Sequence, residues 1–201
     1  MPGGGPVSFR YDPMMDVNGL LRHRIGGGLA AVRVASREAA GAWAFRLSSS
    51  SNTVGWTLWH GAVIVDWTVN AFIRGRGEVR ATPDFVGSGI WTGTMPFGMG
   101  RERADSIGAQ VDPDALGAYT RSVFDDVGPW IDALTEVQMA AVPPTRDNLA
   151  AYPVEQTDAF RDEVEWMLDA PVWELLARPC LGHVFAHYGE AVAALEAHDS
   201  D

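Results

Sequence analysis

Asn52-Thr-Val-Gly-Trp56-Thr-Leu-Trp59-His60-Gly-Ala-Val-Ile-Val-Asp66-Trp-Thr-Val-Asn70-Ala-Phe-Ile73 is the most apolar stretch of the chain. Its length decides between helix and strand. The β-branched cluster at 63–65 favours a strand, but about 22 residues without a proline exceed an ordinary strand of about 5–6. On a helix, Trp56, His60, Val63 or Ile64, Trp67 and Ala71 fall on one side, and Leu58, Val65, Val69 and Phe72 widen the apolar surface. The polar run Ser48 to Asn52 suits an N-cap, and Gly75-Arg-Gly77 suits the end of the helix.

Three further helical patterns surround this one. Leu21, Ile25, Val32, Ala35 and Ala39 recur near a 3.6-residue period, across a Gly26-Gly27-Gly28 cluster that weakens a helix unless close packing needs the missing side chains. Asp112-Pro113-Asp114 is a strong helix start, followed by the stripe Leu116, Tyr119, Val123, Val127, Trp130, Ile131 and Leu134, with a kink expected at Gly128-Pro129. Val142-Pro-Pro144 opens a polar link. The last helical region spans about 158 to 197, divided at Pro171 and with a second break or kink expected at Pro179.

Residues 75–111, rich in Gly, Thr and Pro, read as one long irregular connection, which is unusual inside a compact domain. Four helices with little strand signal predict an all-α four-helix bundle, and the long link permits a crossover that leaves the second and third helices parallel. The expected organisation is an irregular lead-in over 1–13, one domain over 14–197 and a solvated tail over 198–201.

Composition narrows the partners. A content of 47% hydrophobic and 20% charged residues fits a folded globular chain, and the net charge of −11 disfavours nucleic acid or an anionic membrane as the main partner. All 15 basic residues are Arg, as in products of GC-rich genomes. The single cysteine, Cys180, cannot form an internal disulfide and reads as a buried small hydrophobe. With no run of about 18 apolar residues and no signal-peptide pattern, a soluble cytoplasmic protein is expected.

The chemistry lies in the histidines. Gly182-His183-Val-Phe-Ala-His187-Tyr-Gly-Glu190 spaces two imidazoles at i, i+4, on one face of a helix, and His60 can supply a third ligand from another helix. A histidine on an apolar face is more often a satisfied core residue, and His23 and His198 keep that reading. Three neutral nitrogens suit zinc, nickel or another late divalent ion and leave positions for water or substrate. Such an ion can activate water for hydrolysis or a thiol as a nucleophile. Asp66 and Glu190 are the nearest candidates for acid-base or supporting roles, against the blander reading of solvated carboxylates. The Glu of His-Glu-x-x-His is missing, and there is no Gly-x-Ser-x-Gly elbow, phosphate loop or Cys-x-x-Cys pair.

These residues carry a resemblance. Asn52-Thr-Val-Gly-Trp-Thr-Leu-Trp-His60, with Asp66 and Asn70, resembles the second helix of the DinB/YfiT-like superfamily, and Leu181-Gly-His183-x-x-x-His187-x-Gly-Glu190 resembles its last helix. Thr92-Gly-Thr94 through Gly98-Met99-Gly100, then Asp112 to Leu116, is similar to the linker and third-helix start of actinobacterial members. The resemblance covers about residues 14–196. It implies a bundle in up-down-down-up order, a metal on His60, His183 and His187, and often a homodimer. It also implies a metal-dependent transferase or isomerase acting on a small molecule with a low-molecular-weight thiol such as mycothiol, the 75–111 segment walling the pocket. A non-catalytic metal- or ligand-binding module is the alternative, and a metal-dependent hydrolase with Glu190 as base is a third reading.

Overall fold

The computed structural model describes residues 16–93 and 97–200, so the expected lead-in over 1–13 lies outside the described residues. These residues are helical, and no strand occurs among them. The first helix, α1, runs Val17–Glu38 and starts at Asp16, whose carboxylate accepts from the Gly19 amide. It passes unbroken through Gly26 and Gly28 because close packing needs both. A Cβ at Gly26 would meet the Phe124 ring at 2.5 Å, and one at Gly28 would meet Val184 at 3.1 Å.

The second helix, α2 (Val54–Asp66), continues as a π-helix over Trp67–Ile73. Its N-cap is Thr53, just beyond the polar run expected to supply it. Every residue from Val54 to Ile73 is buried, so α2 is the central element and its apolar surface covers the whole circumference rather than one stripe. It ends at Arg74, and Gly75 turns the chain away at φ +61°.

The connection after Gly75 is less irregular than its composition suggests. It holds a 3₁₀ turn at Val79–Ala81 and a helix, α3 (Arg101–Gln110), against α2. The physical reason is a narrow contact: Ala104, Ile107 and Gly108 are the buried positions of α3, and a Cβ on Gly108 would strike Thr53 Oγ1 at 2.6 Å. One small-residue edge suffices to dock a helix that is polar elsewhere.

Helix α4 (Pro113–Asp132) begins as expected, with Asp112 capping the Ala115 amide and Pro113 in the first turn, and it runs on through Pro129. The link after it also contains helices, α5 (Glu136–Ala140) and α6 (Thr145–Ala151), each too short to show a period. A capping box between Thr135 and Gln138 starts α5. The last region is divided as the prolines require. Helix α7 (Asp158–Val164) ends well before Pro171, and α8 (Val172–Ala177) starts just after it. A π-helix over Arg178–His183 then takes up Pro179, whose ring cannot donate to the preceding turn, and α9 (Val184–His198) follows.

Helix α1 packs along α4 and α9, while α2 lies against α1, α3, α4 and α9. Helix α9 includes His198, whose ring stands edge-on to Phe45 at 5.0 Å, so the expected solvated tail begins one residue late. No helix among the described residues is long and apolar enough to cross a membrane.

Candidate metal centre

His60 projects from buried α2, and His183 and His187 flank the junction where the π-turn after Pro179 becomes α9. The α2 surface opposite α9 is relieved by Gly61, where an added Cβ would stand 3.9 Å from that of His187. Three ring nitrogens therefore converge. His183 Nε2 is 2.8 Å from His60 Nε2 and 3.0 Å from His187 Nε2, and one ligating atom from each residue lies within 4.8 Å of the others.

His187 Nδ1 is 2.7 Å from Glu190 Oε2, so the ring donates there and turns a lone pair toward its neighbours. His183 Nε2 faces two nitrogens and can carry one proton. Burial first, and then the charge His187 would carry, push the His183 pKa down to about 4 against the pull of Glu190, so its ring is neutral near pH 7. Convergent imidazole nitrogens, the central one on a ring that burial keeps neutral, are what a divalent cation needs. With metal–nitrogen bonds of about 2.0–2.1 Å, nitrogens sharing one ion stand about 2.8–3.4 Å apart between right-angled and tetrahedral geometry. The two His183 separations fall in that span and the third pair lies within 4.8 Å, so the three residues lie close enough to hold such an ion.

Aromatic side chains hold the cluster on two sides. Trp56 stacks on His60 with centroids 4.4 Å apart and planes 11° apart, and it meets His187 edge-on. Phe97 stands edge-on to His60 at 5.9 Å and tilted toward His183 at 6.3 Å, backed by Trp67 and Phe160. Trp56 Nε1 donates to Met99 Sδ, and the Gly98 amide donates to Glu163 Oε2, fixing the segment that carries Phe97. Gly98 is obligatory there, because its φ is +65° and a Cβ would lie 2.5 Å from the Phe160 nitrogen. The sequence gives no periodic signal for Phe97 or Met99; the glycines around them are the only sign of a constrained turn. His60 is 3% exposed, whereas the side chain of His187 is 14% exposed and that of Glu190 is 60% exposed, so the solvent side of the centre is the α9 side.

Asp66 is placed differently. Its carboxylate is fully buried and accepts four hydrogen bonds, from Asn70 Nδ2, the Val79 and Arg80 amides, and Tyr119 Oη. Those bonds tie the turn after α2 to α2 and α4, and Asp66 does not belong to the ligating group. Beside it lies a second buried set: Arg80 is fully buried, pairs with Glu78 and stacks on Trp91, and Tyr152 donates to Glu78. Burial raises the Glu78 pKa; burial is also the largest influence on Arg80 and lowers it, but Glu78, Tyr152 and Tyr119 together outweigh it and hold the guanidinium above its ordinary range. Trp59, next to His60 on α2, donates to the Ile90 carbonyl. Cys180 is buried, and burial pushes its thiol pKa far up, with Thr68 pulling weakly the other way.

No protein-family model matches the sequence, and no curated protein or solved structure matches it significantly.

Proposed function

We propose that the chain is a DinB/YfiT-like four-helix bundle, built on α1, α2, α4 and the α8–α9 arm, whose histidines hold zinc or nickel for a thiol-dependent transfer to a small molecule. The convergence of three imidazole nitrogens, with Glu190 orienting one of them, carries this reading. When bound, the divalent ion would supply Lewis acidity that keeps a low-molecular-weight thiol, of the mycothiol type, deprotonated at neutral pH. His60 is held rigid by Trp56 and Phe97, so the ligand set is pre-formed on its buried side. Glu190 accepts from His187 Nδ1 through Oε2, which keeps that ring oriented, and the thiol proton leaves to solvent on the exposed α9 side. Sulfur then bonds to an electrophilic carbon, and the electrons of the bond broken there leave with the departing group.

The test is reconstitution of stripped protein with zinc or nickel, metal analysis, and reaction with mycothiol and an electrophilic test substrate. One ion per chain is expected, with conjugation that falls at least about 100-fold in His60→Ala, His183→Ala and His187→Ala, as for loss of a group that stabilises the transition state. Conjugation by these variants at the wild-type rate, or no metal uptake, overturns the proposal. The aromatic cover by Trp56 and Phe97 favours a second reading, a metal- or ligand-binding module without catalysis. A cobalt-substituted protein whose visible spectrum ignores added thiol would support that second reading.

A further inference from the structure

A cavity of about 520 Å³ opens between the start of α2 and α9. The histidines do not line it, but its near end is set by residues one helical turn from them: Thr57 precedes His60 by three, and Glu190 follows His187 by three. Ser50, Ser51, Asn52 and Thr57 line it together with alanine, valine and leucine residues, and the Ser50 and Ser51 hydroxyls each also bond Ser48 Oγ. Glu190 is the one charged residue among those lining it, and only its Oε2 is engaged by His187.

The positive groups that could oppose a carboxylate here are already occupied. At the first turn of α2, the amides of Val54, Gly55 and Trp56 donate to Phe45 O, Trp43 O and Thr53 Oγ1, so that helix end presents no anion site. Arg101, the nearest arginine by contact, spends Nη1 and Nη2 on the Ser51 and Ser50 carbonyls and does not line the cavity. The cavity therefore has neutral hydrogen-bonding groups, an apolar floor and a single negative charge.

We infer that this cavity binds the amine-bearing end of a small molecule, with the Glu190 carboxylate as counter-ion and the serine, threonine and asparagine groups receiving its remaining polar atoms. The ammonium group sits with Glu190 between it and the histidine centre, so the carboxylate would separate it from a cation held there. The inference rests on the proposed function in taking the cavity as the arm that holds the substrate's amine-bearing end beside the histidine centre. The cavity's own selectivity does not require the ion, and this allows a separate test.

The experiment titrates the chelator-treated 201-residue chain at pH 7.5 with n-butylammonium, n-butanol and n-butyrate, followed by NMR. Butylammonium is expected to bind at least about tenfold more tightly than butyrate, with butanol between, since one charge-assisted hydrogen bond accounts for a difference of that size. In Glu190→Gln the ammonium preference should fall to within about threefold. Gly189→Leu fills the cavity: a Cβ at Gly189 meets nothing within 4 Å, so the helix accepts the side chain while butylammonium binding is lost. Equal or tighter binding of butyrate, a preference that survives Glu190→Gln, binding unchanged in Gly189→Leu, or no saturable binding of any of the three overturns the inference. If the ammonium preference holds but wild-type protein takes up neither zinc nor nickel, the proposed function fails and the cavity assignment stands.

Discussion

Replacing Asp66 by Asn tests whether this buried carboxylate is an organiser of the fold or a participant in chemistry. Oδ1 accepts from Asn70 Nδ2 at 2.8 Å and the Val79 amide at 3.0 Å, and Oδ2 from the Arg80 amide at 3.0 Å and Tyr119 Oη at 2.7 Å. An asparagine keeps one oxygen and turns an NH₂ toward the other two donors. Each lost bond to a charged acceptor is worth about 1.5–3 kcal/mol, so two lost bonds cost about 3–6 kcal/mol. That is a large share of a stability of about 5–15 kcal/mol. The assay is urea unfolding at pH 7, comparing midpoints at equal m-value, with Tyr119→Phe as a control that removes one donor and costs about 1.5–3 kcal/mol. An Asp66→Asn protein within about 0.5 kcal/mol of wild type, the range of an uninvolved surface change, would refute the reasoning. Loss of a conjugating activity at unchanged stability would place Asp66 in the chemistry instead.

Acid should weaken the centre before it unfolds the protein. The His183 pKa is depressed to about 4, so its contribution to stability is complete above its unfolded value near 6.5 and is lost as pH falls from there toward 4. Thermal scans of metal-free protein from pH 7.5 to 4.5 should show a steeper fall for wild type than for His183→Ala, and equal slopes would contradict the shift. Two glycines should respond in opposite directions in urea unfolding. Gly189→Ala should stabilise by about 1 kcal/mol because its Cβ meets open space. Gly26→Ala should destabilise by about 1–3 kcal/mol because the Phe124 ring stands 2.5 Å from the new Cβ. Cys180 should resist a thiol reagent at pH 8 in the native protein and react fully in denaturant, since burial keeps its thiol protonated; rapid native labelling would show that the interior around it opens.

What the sequence discloses and what it hides divide along the range of the interactions involved. The histidine pair is legible because its geometry is local: four residues on a helix return a side chain to the same face. The same arithmetic bears on Asp66. Six residues beyond His60, at about 100° each, it leaves α2 about 120° away round the helix, so it faces elsewhere while His60 faces the other histidines. Proximity in sequence made Asp66 a candidate, and helical phase argues against it. Helix α3 escaped for a different reason, since a helix docked by Ala104, Ile107 and Gly108 needs a matching hollow at Thr53 and Trp56 that no local pattern reveals. Phe97 is the extreme case, because its position depends on Gly98 meeting Glu163 and Phe160, some sixty residues onward. The ligands of the centre are thus set by helix periodicity, but the walls beside them are set by distant contacts. For that reason, the class of metal can be argued from the histidines alone, whereas the class of substrate has to be argued from Glu190 and the cavity it faces.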